Sequence, residues 1–145
     1  MDRERAIELL RGGPVSVQRW NRWRLRHPDA FDLTHAKLDR TDLSGANLAN
    51  VDLHASNLAS SVLIGANLEG ADLHRSNLKA ANLSKAILRG TDLHAANLSY
   101  ASLFGADLSK ADLRRTSLRR AEADSDTKWP QGFNPGSHAI EWPAA

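Results

Sequence analysis

Three histidines, His54, His74 and His94, recur at intervals of twenty residues, and five aspartates, Asp32, Asp52, Asp72, Asp92 and Asp112, keep the same interval. Imidazoles beside carboxylates are the donor set of zinc and nickel sites, and histidines stacked together respond to pH. Serine is frequent as well, so the hydroxyl, imidazole and carboxylate of a nucleophilic triad are all present. A further group is basic: Lys110, Arg114, Arg115, Arg119 and Arg120 late in the chain, and Arg19, Arg22 and Arg26 near its start. Such clusters attract phosphate backbones. The chain has no cysteine, which removes disulfides, thiolate metal ligands, iron–sulfur clusters and thiol catalysis. What the remaining groups can do depends on the element that spaces them by twenty.

That element is a repeat of five. Leucine stands at every fifth position from Leu33 to Leu118, eighteen times in register. Two residues before each Leu, sixteen of eighteen positions are Ala, Ser or Thr, with Phe31 and Val51 as exceptions, and immediately before it thirteen are Asp or Asn. A helix would carry this stripe around its surface by about 140° per repeat, and a plain strand would send successive leucines to opposite faces. Both conflicts vanish if the chain turns a corner every five residues. The Leu and the small residue then point into a crowded interior, with Leu33, Leu53, Leu73, Leu93 and Leu113 as one column of the core. Gly45, Gly65, Gly70, Gly90 and Gly105 fall two residues after their Leu, where a turn needs positive φ. The twenty-residue interval of the His and Asp residues fits four sides per coil.

The A-(D/N)-L-x-x unit resembles the signature of the pentapeptide-repeat proteins, over residues 31–120, with departures at Lys37, Val62, Ile87, Ser102 and Ser117. The segments W-N-x-W-R (Trp20 to Arg24) and T-K-W-P-x-G-F (Thr127 to Phe133) are similar to sequences that flank the repeats in some members. The resemblance implies an all-β fold, a right-handed quadrilateral β-helix. Eighteen repeats then give about four and a half coils, roughly 22 Å tall at the spacing of neighbouring strands.

Both ends of such a stack expose core and unpaired edges, which invite polymerisation unless covered. The flanks differ in texture from the middle. Residues 1–31 carry seven Arg against four acids, residues 32–120 eleven Lys and Arg against nine acids, and residues 121–145 Lys128 alone against four acids. Residues 1–30 are expected to form a short α-helical N-terminal cap. Its first helix shows Ile7 and Leu10 on one face, and its second, opened by Pro14, presents Val17, Trp20 and Trp23. Residues 31–120 are the β-helix. Residues 121–145, rich in Pro and Gly, are expected to be a C-terminal capping loop anchored by Trp129, Phe133 and Trp142.

On the outer faces, equivalent residues of successive coils line up in columns. Val62 and Ile64, with Phe104 two coils further along and Tyr100 at the adjoining corner, break the polar pattern and form a candidate interaction patch, unless a flank covers it. The His and Asp columns form a second ladder, but side chains on a convex face have no reason to converge, so no metal or other cofactor is expected. A convex prism with a filled interior offers no cleft, and the repeat itself demands Ser and Asp, so no catalytic residues and no enzyme are expected. Glu122, Asp124 and Asp126 follow the basic cluster directly and no aromatic platforms lie within it, so nucleic acid is not an expected partner. The apolar runs are too short to span a membrane and the start is no secretory signal, which suggests a soluble cytoplasmic protein. The reading is a noncatalytic scaffold, monomer or homodimer, that binds a protein partner through its outer faces. The family resemblance implies an alternative, protection of DNA gyrase or topoisomerase from inhibitors by imitation of DNA, with the Asp column as the acidic strip.

Overall fold

A computed structural model describes residues 1–143. From residue 31 onward the chain repeats one local conformation. The small residue and the Leu are buried, the residue between them pairs with its neighbours, and the next two form a turn. In nearly every repeat the Leu carbonyl accepts the N–H three residues on, as in Ala66 N to Leu63 O at 3.0 Å. The second residue after each Leu has φ between 54° and 67° in all eighteen repeats. Only five of these residues are Gly, so the turn forces residues such as Ala55, Ala80 and Lys85 into the left-handed region, at about 1–2 kcal/mol each. The ladder offsets this cost, because the N–H of that same residue donates to the next coil, as Lys85 N does to Phe104 O at 2.8 Å.

The preference for Asp and Asn before Leu has a direct cause. At all thirteen such positions the side-chain Oδ1 accepts the backbone N–H two residues on, a donor that the ladder leaves unused.

Parallel pairing runs at an interval of twenty, from Lys37 with Asn57 to Ser102 with Glu122, so each coil has four sides. The sides are so short that, among the described residues, only Phe31–Asp32 (β1) and Val51–Asp52 (β2) extend beyond single bridges. Every repeat Leu from Leu33 to Leu108 is fully buried. Most buried hydroxyls turn back onto the chain, as Ser76 Oγ does to Leu73 O at 2.6 Å, whereas the buried Ser56 Oγ makes no hydrogen bond. Leu113 departs from the expected core column: it is only half-buried, because no further coil forms above its side and the loop around Phe133 lies there instead.

The pairing does not stop at Arg120. Glu122 pairs with Ser102, and Lys128 pairs with Asp107 at an interval of twenty-one. Ala121, Ala123 and Thr127 are buried, so two more sides form in which Ala123 and Trp129 stand where Leu stood before. The chain then passes through one turn of 3₁₀ helix, Pro135–Ser137, and returns to pair Glu141 with Glu122.

At the other end lie two helices, α1 (Arg3–Arg11) and α2 (Pro14–Arg26). Asp2 caps α1 by accepting Arg5 N, and Pro14 opens α2, where its missing N–H costs nothing. The first coil has carbonyls with no earlier coil to serve them, and side chains from these helices take that role. Trp20 Nε1 donates to Asn47 O at 2.8 Å, Arg24 donates to Ala49 O, and Arg3 donates to Thr34 O. Asn21 donates to Gly45 O at 2.9 Å and accepts from Asn47 N at 2.7 Å. Among the described residues no helix is long and apolar enough to cross a membrane.

Candidate functional site

The column of His54, His74 and His94 lies where the sequence placed it, one residue after each Leu and beside the Asp column. Asp52, Asp72 and Asp92 hold the backbone N–H of the three histidines at 3.0, 3.0 and 2.9 Å. All three histidines are half-buried. The lower two converge: His54 Nδ1 lies 2.9 Å from His74 Nδ1, which lies 3.0 Å from Asp72 Oδ1. His54, Asp72 and His74 thus bring three ligand atoms within 4.8 Å of one another. Sequence reasoning saw no cause for such convergence. It also missed His35, whose ring packs against His54 with centroids 5.7 Å apart, because His35 lies at a corner outside the twenty-residue interval.

The upper end of the Asp column is neutralised. Arg114 forks onto Asp112 with Nη2 to Oδ2 at 2.7 Å and Nε to Oδ1 at 3.0 Å, and with its own N–H it lowers this carboxyl to about 2. The N–H and hydroxyl of Thr34 lower Asp32, and the hydroxyl and N–H of Ser44 lower Asp42. In each case the folded state holds the charged form, so the unfolded chain takes up protons first as the pH falls. The stability from Asp112 is therefore fully present above about pH 4 and is lost toward about pH 2, and Asp32 and Asp42 act in the same direction. Urea midpoints should fall across that window, and Asp112→Asn should flatten the decline.

The apolar patch is divided. Ile64 is 41% exposed and Val62 half-buried, but Ser84 stands between Ile64 and Phe104 in the column. Tyr100, 45% exposed, and Phe104 flank one side of the coil two coils away from Val62 and Ile64. With Arg120, Glu122, Glu141, Trp142 and Pro143 they line a cleft of about 380 Å³. Of the expected tail anchors, Trp129 and Phe133 stack at 5.1 Å, whereas Trp142 is 48% exposed and forms a wall of this cleft. It stands one residue past Glu141, which pairs with Glu122. The late basic cluster is partly neutralised, Arg114 by Asp112 and Arg120 more loosely by Glu141 at 3.8 Å.

The pentapeptide-repeat family model matches in 8 copies, over residues 32–63, 56–94 and 96–124. No curated protein matches the chain. Among solved structures it is similar to a pentapeptide repeat protein from Nostoc PCC 7120, at 28% identity over 90% of this chain and 96% of that one, with a TM-score of 0.49. A pentapeptide repeat protein from the cyanobacterium Cyanothece 51142 is also 28% identical, over 77% of this chain and 99% of that one, with a TM-score of 0.44. The plasmid-mediated fluoroquinolone resistance protein QnrB1 is 16% identical, over 77% of this chain and 67% of that one, with a TM-score of 0.37. With its five-residue unit matched along most of its length and its sides paired at twenty, this chain belongs to the pentapeptide-repeat family, whose fold is the right-handed quadrilateral β-helix.

Proposed function

We propose that the protein is a noncatalytic scaffold that binds another protein through its outer faces, with the cleft beside Tyr100, Phe104 and Trp142 as the contact. The observation that carries this reading is the pair of large aromatic side chains left about half exposed on one rigid cleft, Tyr100 at 45% and Trp142 at 48%. Aromatic anchors bordered by charge, here Arg120, Glu122 and Glu141, are what interface centres and rims are made of. In this reading residues 1–30 and the segment after Trp129 keep the ends of the coil from pairing with other chains, and the protein works in the cytoplasm as a monomer or homodimer.

The second reading is imitation of DNA toward gyrase or topoisomerase. It is favoured by the unbroken register of Asp32, Asp52, Asp72, Asp92 and Asp112 in neighbouring coils, a strip of carboxylates about 4.8 Å apart. One experiment separates the two. Lysate of the source organism is passed over wild type, Tyr100→Asp/Trp142→Asp and Asp52→Asn/Asp72→Asn/Asp92→Asn, and the retained proteins are identified by mass spectrometry. The scaffold reading expects a partner lost with the first variant and kept with the second. Gyrase or topoisomerase lost only with the second variant would establish the rival. The Asn variant keeps its turns, since Asn57, Asn77 and Asn97 make the same bond.

A further inference from the structure

We propose that His54, His74 and Asp72 bind one divalent transition-metal ion of the kind that prefers imidazole, with zinc as the representative. The donor set is mixed, two imidazole nitrogens and one carboxylate oxygen, and all three atoms lie within 4.8 Å of one another. Tetrahedral zinc holds such ligands at about 2.0–2.1 Å, which places them roughly 3.4 Å from each other. Two of the three separations are 2.9 Å and 3.0 Å and the third lies within 4.8 Å, so opening the first two by about half an ångström and bringing the third pair to the same separation admits the ion, movements that rotation of the rings and the carboxylate supplies.

The backbone that carries the ligands is fixed. Ala55 N donates to His74 O at 3.0 Å and Leu53 N to Asp72 O at 2.7 Å, which pins the two coils together at this point. Asp72 Oδ1 also accepts His74 N, so the carboxylate stays beside the ring. The arrangement of these side chains leaves work for a cation. Only one N–H can lie between the two Nδ1 atoms, with the Asp72 carboxylate also drawn to it, whereas an ion engages all three lone pairs at once. Side-chain exposures of 28% for His74 and 41% for Asp72 leave the site open to solvent, and the remaining coordination positions go to water.

The site is narrower than the ladder. His94 stands one coil above His74 in the same column, yet its side chain is not part of the cluster. At the top of the column Asp112 is already occupied by Arg114.

The test uses full-length, tag-free protein stripped of metal and titrated with Zn²⁺ by calorimetry, with Co²⁺ absorption as a reporter of coordination. One ion per chain is expected for wild type. His74→Gln and Asp72→Asn should each weaken binding at least about tenfold, while His94→Gln should leave it unchanged. Asp72→Asn keeps its turn, as Asn77 does for Lys79 N, and matching melts of the metal-free proteins verify that the fold is intact. Absence of one-to-one binding in wild type would overturn the proposal. So would wild-type affinity in both variants, or an equal loss in His94→Gln.

Discussion

Leu73→Asp is expected to abolish the cooperative fold. Leu73 is fully buried in the middle of the stack, between the equally buried Leu53 and Leu93 of the same column. The substitution forfeits about 1.5–3 kcal/mol of burial and adds several kcal/mol for an unpaired buried charge or the proton needed to neutralise it. A small domain has about 5–15 kcal/mol in total. Far-UV circular dichroism and urea titration should therefore show loss of the transition at room temperature. The same change at Leu113, which is half-buried at the open end, should lower the midpoint without removing the transition. A wild-type melt for Leu73→Asp would refute the inward register of the leucines.

The second large effect is expected at Arg24. Arg24 is 2% exposed, and its guanidinium donates to His27 O at 2.6 Å, Asp29 O at 2.7 Å and Pro28 O at 3.2 Å, and across to Ala49 O on the first coil. Burial lowers its pKa, with Asp29 opposing the shift. Arg24→Met keeps most of the volume and removes every donor, leaving these carbonyls unserved. Charge-assisted hydrogen bonds contribute about 1.5–3 kcal/mol each, but the loop can rehydrate, so we expect a loss of about 3–5 kcal/mol. Lysine cannot replace the planar fork that reaches several carbonyls at once. The variant should also associate in a concentration-dependent way, because the first coil then presents a sheet edge to other molecules. Urea midpoints and light scattering read the two effects. A monodisperse variant of unchanged stability would show that the helices do not hold this edge.

The coil was legible in the sequence because its physics is local. A five-residue turn with one inward Leu, one small inward residue and one Asx bond leaves a mark at every repeat, and the twenty-residue interval of His and Asp gives the number of sides. The turn geometry was legible only in part. Gly45, Gly65, Gly70, Gly90 and Gly105 marked the positive-φ position, but the thirteen non-Gly residues at the equivalent positions adopt the same φ under the pull of the ladder. The continuation past Arg120 was hidden because Ala123 and Trp129 replace Leu and one extra residue shifts the interval to twenty-one.

Side-chain convergence was the least legible. Arg24 sits among Arg19, Arg22 and Arg26, and only its position over the loop of residues 27–29 distinguishes a buried hub from a surface charge. The His54–His74 contact depends on ring rotation, which no spacing encodes. The apolar patch was read from columns alone. The columns could not show that Ser84 divides it or that Trp142 returns from the tail to stand beside Tyr100 and Phe104.

The most direct test of the scaffold reading is site-specific photo-crosslinking. Tyr100 is replaced by benzoylphenylalanine, and in a second protein Arg75, an exposed corner residue on another side of the coil, is replaced in the same way. Irradiation in lysate should give one heteromeric adduct from position 100 and none from position 75. Absence of an adduct at position 100, or the same adducts at both positions, would contradict the assignment of this cleft as the binding surface.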